Sequence, residues 1–559
     1  MPAWSLFQSP AAVLAADRLS DVCPVLREVE RAAQRGRWCA GYVAYEAAPA
    51  FDPALQTHAP LALPLAWFAI FEDIRAGELP NAPAPPLLPV PFLDEASFAR
   101  RVAVIKDAIA RGETYQVNFT FPLTAEDEAP AEARFARMIR AQQCAYGALI
   151  ETPEWSLCSA SPELFFAREG TTIRCKPMKG TARRGRWPEE DESHRSRLAT
   201  SEKDRAENVM IVDMVRNDLG RIARIGSVRV ESLFDVERLP TVWQMTSTVT
   251  AQTDAGLDSV FSALFPCASV TGAPKVQTMR IIRDVESGPR GVYTGAIGFV
   301  GPGGNARFNV AIRTLVRLHG RYARYDVGSG IVWDSDPRRE YAECLAKARV
   351  LSEDPDFRLF TSLRWDPREG AALLDRHFER LCRSAEHFGR PFDSARARLR
   401  FEEAARVFPA EPRRVRVELS ADGEIAITHA PLPFSVPQRI ALAREPIDVD
   451  TPFVFHKTSR REHYDRFLAM HPGADDVLLW NERGEITETA IANVAFFRSG
   501  QWVTPPVACG LLAGVMRAEL LARGDWVEGR ILKSDVRAGE TIELANAVRG
   551  RWRGQLIES

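Results

Sequence analysis

Apolar and polar residues alternate along this chain with a period that keeps changing, and each change marks an element. From Leu93 to Gly112 the apolar positions fall three and four apart, which predicts a helix. TYQVNFTFPL (114–123) is rich in β-branched and aromatic residues and partly alternating, which predicts a strand. A second helix has readable ends: Ser201-Glu202-Lys203-Asp204 resembles a capping box, apolar residues recur at 206, 209, 210 and 214, and Gly220 offers a stop. A third begins at Asp336-Pro337, an N-cap and first-turn proline. It sets Tyr341, Cys344, Leu345 and Ala348 on one face, with Glu340, Glu343 and Lys347 on another flank. The glycine clusters GPGGN (301–305) and GSG (328–330) lack the GxGxxG spacing of a dinucleotide loop, so both are predicted to be hairpin turns. Helical and strand periods interleave throughout, which predicts a mixed α/β (α+β) architecture.

Two stretches interrupt the periodicity. PNAPAPPLLPVP (80–91) holds six prolines in twelve residues and predicts an extended connector, because proline fixes φ and removes a hydrogen-bond donor. SEDPD (352–356) ends the third helical pattern. The chain therefore divides into an N-terminal part (1–90), a long block (91–352), a short linker (353–357) and a second α/β block (358–559).

Charge and cysteine usage narrow the function classes. With 72 Lys+Arg against 74 Asp+Glu, the formal charge of −2 supplies no field for phosphate backbones or anionic lipid, so no nucleic-acid or membrane partner is expected. The longest nearly apolar run, Leu61 to Phe71, contains a proline and is about half the roughly 20 residues a bilayer span needs. The first basic residue is Arg18, so the start lacks the charge of a secretory signal. Nine cysteines without a close CxxC pair argue against a disulfide scaffold or a zinc site, and a cytoplasmic protein is expected.

Only eight of the 72 basic residues are lysine. Arginine serves wherever a positive charge is enough, but it cannot shed its proton, so a retained lysine marks a place where an amine is useful. Each candidate is modest alone. SPE (161–163) places Glu163 after a turn proline, where a solvated surface carboxylate is the simpler reading. KPMKGT (176–181) places Lys179 before a glycine, as in an exposed loop. Glu343 and Lys347, four apart, read as a helix-surface ion pair worth a few tenths of a kcal/mol.

Taken together they change the picture. SPE, KPMKGT, DRAENVMIVDMVRND (204–218), TGAPK (271–275), YTGAIG (293–298), AIRT (311–314), GSGIVWDSDP (328–337) and YAECLAKA (341–348) follow an order and spacing that resembles the chorismate-utilising enzymes. The resemblance covers about 95–352, and GYVAYEAA (41–48) makes the first 90 residues similar to the N-terminal part of the synthase subunit. It implies two packed antiparallel sheets flanked by helices. Mg²⁺ would be held by Glu207 and Glu343. Thr271, Gly272, Ala273, Tyr293, Arg313, Gly328, Ser329, Gly330 and Lys347 would grip substrate, and Glu163 would act as the general acid for the C4 hydroxyl. Water-using relatives carry lysine where this chain has Gln116, which points to ammonia. Lys179 resembles the lysine of aminodeoxychorismate synthases, which attacks C2 of chorismate before ammonia adds at C4. Many relatives carry a histidine where this chain has Gln244. No cysteine sits on a glutaminase-like GxCxGxQ turn, so ammonia is expected from a separate glutamine amidotransferase subunit.

In the second block, RHFERL (376–381), HKTSRREHYD (456–465), GEITETAIANVAFF (484–497) and GLLAGVMRAELL (510–521) resemble the fold type IV pyridoxal-phosphate enzymes, which include branched-chain and D-amino-acid aminotransferases and aminodeoxychorismate lyase. Without that resemblance, Lys457 reads as a basic helix end and Glu488 as a strand-edge charge. With it, Lys457 would bind pyridoxal 5'-phosphate and move protons. Glu488 would face the pyridine nitrogen, and Arg380 with the amides of Val515 and Met516 would hold the phosphate. Relatives of this type commonly pair, so a homodimer through this block is an expectation. The two resemblances imply a synthase joined to a lyase, yielding 4-aminobenzoate and pyruvate. Two alternatives stay open: an anthranilate synthase with an aminotransferase-like tail, and a non-catalytic ligand-binding scaffold.

Overall fold

The structure, a computed structural model, describes residues 4–80, 82–318, 322–433 and 435–558. It divides into two compact units, one built from Met1–Arg183 with Arg195–Pro355, the other from Arg184–His194 with Asp356–Ser559. No helix among the described residues is long and apolar enough to cross a membrane.

Two large antiparallel sheets form the first unit, beside a two-stranded pair of Trp4–Leu6 with Arg75–Gly77. The ten-stranded sheet runs Met178–Arg183, Val242–Gln252, Thr172–Lys176, Leu164–Glu169, Ala306–Val310, Ala296–Val300, Trp38–Val43, Ala66–Phe71, Ala12–Ala16, with Arg229–Arg238 also paired to Val242–Gln252. The proline-rich stretch thus separates the N-terminal strands in sequence only, since Trp38–Val43 pairs directly with Ala296–Val300. The second sheet runs Gly272–Ala273, Gln116–Ala125, Tyr322–Ile331, Thr314–Leu318, Trp155–Ser161, Tyr146–Glu151, with Val90–Pro91 at its side. Phe165, Phe166, Phe261 and Phe308 fill the core against the first sheet, and Phe98, Phe119, Phe121 and Tyr341 that against the second.

Local signals produced the expected helices. Glu95–Ala110 starts at Asp94, whose carboxylate accepts from the Ser97 amide at 2.7 Å, and buries Phe98, Val102 and Ile105. Ser201 caps Glu202–Gly220 through the Asp204 amide at 3.2 Å, and Asp336 caps Pro337–Ala348 through the Arg339 amide at 2.9 Å. Each side-chain oxygen satisfies an amide that has no partner within its helix. GPGGN does turn a hairpin, joining Ala296–Val300 to Ala306–Val310. GSG does not: all three residues lie inside the strand Tyr322–Ile331, paired with Thr120, Phe119 and Asn118. Here glycine provides room for side chains arriving from elsewhere, not a turn.

The second unit holds two further sheets. Gly370–Ala371, Leu359–Asp366, Arg413–Leu419 and Ile425–Pro431 form the smaller, covered on one face by Leu374–Phe388 and Ser394–Ala405 through Leu363, Phe378, Leu381, Phe401 and Val417. The larger, mixed sheet runs Ile486–Thr489, Asp476–Trp480, Arg439–Leu442, Gly550–Ile557, Thr541–Asn546, Asn493–Arg498, Gln501–Thr504, Trp526–Glu528. Arg184–His194, which belongs to the first block in sequence, packs in this unit. Arg184 forks onto Asp191 and donates to the His387 carbonyl at 2.9 Å. Arg186 donates to the Val449 carbonyl at 3.1 Å, and Trp187 faces Phe455 with 4.8 Å between ring centroids.

Candidate active sites

In the first unit, Lys179 sits on the strand Met178–Arg183, not in an exposed loop. Two neighbours pin that strand. Asn208, from the helix Glu202–Gly220, donates to the Lys179 carbonyl at 3.0 Å, and Gln244 donates to the Gly180 carbonyl at 2.8 Å while accepting from the Thr181 hydroxyl at 3.1 Å. Gly180 takes φ +95° at this irregularity, a value that glycine adopts without strain. Gln244 therefore braces the lysine strand, whatever a histidine would do there.

The side chains of Lys179 and Gln116 converge over Gly330. A Cβ at Gly330 would lie 2.9 Å from Lys179 Nζ and 3.2 Å from Gln116 Nε2, so glycine keeps this space open. Gln116 is buried, and neither its amide oxygen nor its nitrogen has a hydrogen-bond partner within the protein. An orphaned buried amide carries a desolvation cost that a polar ligand would remove. Burial pushes the Lys179 ammonium below the ordinary lysine range. Lys347 adds to that, while Glu207, Glu343 and Glu340 oppose it. An amine so placed is a better nucleophile at neutral pH than an exposed one.

Glu163 is buried, not solvated, and accepts from the Ser269 hydroxyl at 2.7 Å. Burial pushes its carboxyl up to about 7, against the opposing hydrogen bond from Ser269 and the charge of Lys179. The residue is thus available as a proton donor near neutrality.

Glu207 and Glu343 both act on the Lys179 ammonium, which places two carboxylates beside one space. Glu343 pairs with Lys347 at 2.8 Å. Burial works to raise Glu343, but Lys347, Lys179 and Arg313 more than offset it and hold the carboxyl below its usual range. Among the described residues no group of three or more His, Cys, Asp and Glu side chains is placed to hold a metal. Two hard carboxylates nevertheless suit Mg²⁺, which keeps water and substrate oxygens in most of its positions.

The remaining residues form the frame. Lys347 Nζ donates to the Gly328 carbonyl at 2.8 Å. Arg313, at φ +52°, donates to the Lys347 carbonyl at 2.5 Å, and Ser329 donates to Glu340. Gly272–Ala273 pairs with Gln116 and Val117, and a Cβ on Gly272 would lie 2.0 Å from the Gln116 carbonyl oxygen. Thr271 turns its hydroxyl inward to the Cys267 carbonyl at 3.0 Å. Tyr293 is buried near Asp326 and Arg290, and burial pushes its hydroxyl well above the usual phenol range. Sequence reasoning gave no role to Glu340 or Asn208. Glu340 had one signal, its position three residues before Glu343 on one helix, and Asn208 had none beyond its adjacency to Glu207.

In the second unit, Lys457, Glu488, Arg380, Val515 and Met516 all line one cavity of about 300 Å³. The Lys457 carbonyl accepts from the Phe360 amide at 2.9 Å, which zips the lysine loop to Leu359–Asp366. Burial, reinforced by Arg380 and Arg461, lowers the Lys457 amine to about 7. Glu488, buried in the strand Ile486–Thr489, accepts from Tyr464 at 2.7 Å, Asn493 at 3.0 Å and the Leu512 amide at 3.1 Å. Burial raises it to about 7 against those bonds and Lys457. Arg380 is lowered to about 10 by burial, opposed by Glu488, and donates to Thr361 at 2.9 Å. Val515 and Met516 open the helix Val515–Ala522 behind Gly514, where a Cβ would lie 1.9 Å from Asn493 Oδ1. An amine, a braced carboxylate, a guanidinium and a helix N-terminus are the donor set pyridoxal phosphate requires, and these residues fit it. Tyr464 and Asn493, the braces of Glu488, lie within HKTSRREHYD and GEITETAIANVAFF, where residue type alone does not mark the carboxylate they hold.

Comparison with known proteins agrees with this division. The chorismate binding enzyme family model matches residues 75–353, and the amino-transferase class IV model matches 358–557. The chain is 42% identical over 257 residues to a protein of Haloarcula marismortui named anthranilate synthase component 1 1, covering 46% of this chain and 52% of that one. It is 38% identical over 263 residues to the Bacillus subtilis aminodeoxychorismate synthase component 1, covering 47% and 56% respectively. The chain thus spans about half the length of these relatives. A crystal structure of anthranilate synthase component I from Streptococcus pneumoniae shares the fold, with TM-score 0.57 and 23% identity over 63% of this chain and 92% of that one.

Proposed function

The chain belongs to the chorismate binding enzymes over residues 75–353 and to the class IV amino-transferases over 358–557, and from that premise we propose that it makes 4-aminobenzoate in two steps. The first block converts chorismate and ammonia to 4-amino-4-deoxychorismate, and the second removes pyruvate from that product. The observation that carries the reading is the convergence of the Lys179 amine and the unpartnered Gln116 amide over Gly330.

In the first step Lys179 Nζ bonds to C2 of the ring, the two ring double bonds shift toward C4, and the C4 hydroxyl departs as water with the Glu163 proton. Ammonia then bonds to C4, the double bonds return, and the C2–N bond to Lys179 breaks. Holding C2 on the enzyme reserves C4 for nitrogen. Glu207 and Glu343 would hold Mg²⁺, which supplies positive charge for a substrate carboxylate. Ammonia would come from a separate glutamine amidotransferase, because neutral water holds mostly ammonium, which has no free electron pair.

For the second step, pyridoxal phosphate, when bound, supplies an electron sink for the carbon that bears the amine. Arg380 and the amides of Val515 and Met516 would bind its phosphate, and Glu488 would hold the proton on its ring nitrogen. Lys457, with its amine near 7, takes the proton from C4 of the substrate. Breaking the C3–O bond then releases pyruvate and leaves an aromatic ring.

Incubation with chorismate, Mg²⁺, an ammonium salt and pyridoxal phosphate tests the reading, with 4-aminobenzoate and pyruvate as expected products. Lys179→Ala should abolish amination while leaving the lyase step on supplied 4-amino-4-deoxychorismate. Normal amination by that variant would refute the covalent role. Chelation of Mg²⁺ should silence the first step only. The 42% identity to a protein named anthranilate synthase favours a second reading, in which the product is anthranilate and the tail an unrelated aminotransferase. Product mass and fluorescence separate the two.

A further inference from the structure

The cavity around Lys457 carries far more positive charge than a single phosphate needs. Six arginines and Lys457 line it, against one carboxylate, Glu488. Three of the arginines are already engaged. Arg380 faces Glu488 beside Lys457, Arg416 pairs with Glu418 at 2.6 Å, and Arg461 donates to the Ala490 carbonyl at 2.8 Å with Asp465 at 3.9 Å. Arg460 lies over the Phe453 ring at 4.5 Å. Arg414 and Arg549 differ: among the described residues neither pairs with a carboxylate within ion-pair distance, lies on a ring as Arg460 does, or bonds a side chain as Arg380 does.

Both are held in place by backbone. Arg414 sits on Arg413–Leu419, directly across from Arg364, so the sheet sets a second cation beside it. Like charges in that position are destabilising. Arg549 closes the turn between Thr541–Asn546 and Gly550–Ile557. There the Asn546 side chain accepts from the Val548 and Arg549 amides at 3.1 and 2.9 Å, and the guanidinium donates to the Ser435 carbonyl at 3.4 Å. Burial, followed by the charge of Arg414, lowers Arg549 below the ordinary arginine range against the opposing charge of Asp476, and both arginines line the same cavity. Two such forks accept a carboxylate with paired hydrogen bonds.

We infer that Arg414 and Arg549 form a carboxylate subsite that selects a dicarboxylate over a monocarboxylate substrate in the second block. The inference rests on the pyridoxal-phosphate reading of this cavity. The subsite uses residues other than Arg380, Val515 and Met516, so cofactor affinity and substrate choice are separable.

The test uses the full chain loaded with pyridoxal phosphate and follows its visible absorption band during titration with 4-aminoisophthalate and 4-aminobenzoate, which differ by one carboxylate. The expected result is about tenfold tighter binding of the dicarboxylate to the natural protein. Arg549→Leu and Arg414→Leu should each bring that ratio close to one with cofactor affinity unchanged, and Arg549→Lys should restore part of it. For turnover of 4-amino-4-deoxychorismate, KM should rise with kcat nearly constant. An unchanged ratio in both leucine variants would overturn the inference alone, as would a loss of cofactor affinity that accounts for the effect. Absence of any visible band in the natural protein would overturn the cofactor reading and the inference with it.

Discussion

Glu163, buried and raised to about 7, puts a pH dependence into the proposed first reaction. Its donor form is fully present well below that value and is lost as pH rises through it. With free ammonia held constant, initial rates of amination should therefore fall on the alkaline side with a midpoint near 7. Glu163→Gln can still accept from Ser269 but cannot donate a proton to the C4 oxygen. It should slow amination by about 10²–10⁴-fold and flatten that limb. An unchanged profile in the variant would assign the proton to another group. Lys457 follows the opposite logic, because its amine is uncharged above about 7. Lys457→Ala should remove the visible absorbance of the bound cofactor, and a retained chromophore would locate the attachment elsewhere. Neither Glu163 nor Lys457 announces its burial in sequence. Glu163 follows a serine and a proline, a surface pattern, yet the folded chain buries it and sets Ser269 against its carboxylate.

At the scale of elements, capped helices are legible because their signals are local. Ser201 and Asp336 bond amides within three residues of themselves, so no distant contact is needed to place either helix start. Strand interiors are less legible. GSG reads as a turn on propensity alone, yet Gly330 lies in a strand because Lys179 and Gln116 arrive from other strands to fill the space above it. The brace on the lysine strand is equally remote, with Gln244 reaching the backbone of Gly180 and Thr181 across the sheet. Gln244→Ala would leave the buried Gly180 carbonyl without that donor. It should lower stability by about 1–3 kcal/mol in denaturant unfolding and reduce amination more than lyase turnover. Equal loss of both activities would argue that Gln244 acts on folding alone.

For the molecule as a whole, the division of the chain departs from its order in sequence. Arg184–His194 follows the Lys179 strand directly, yet it packs in the second unit, where Trp187 covers Phe455, two residues before Lys457. Trp187→Ala in the full chain should cost the second unit about 2 kcal/mol from lost burial and ring contact. It should also weaken pyridoxal-phosphate retention, read from the visible band during a thermal melt. Unchanged retention would limit Trp187 to a surface role.

By itself the sequence determined the two ordered sets of motifs, the helix starts and the identities of Lys179 and Lys457, because these depend on residue type and on neighbours a few positions away. Only tertiary structure decided which groups share a site and what charge they carry there. The Gln116 amide, the Gly330 space, the braces on Glu488 and the Arg414–Arg549 pair join residues from 5 to more than 200 positions apart, most of them far apart in the chain. Desolvation, which moves Glu163 and Lys457 toward neutrality, exists only once the surrounding sheets have closed.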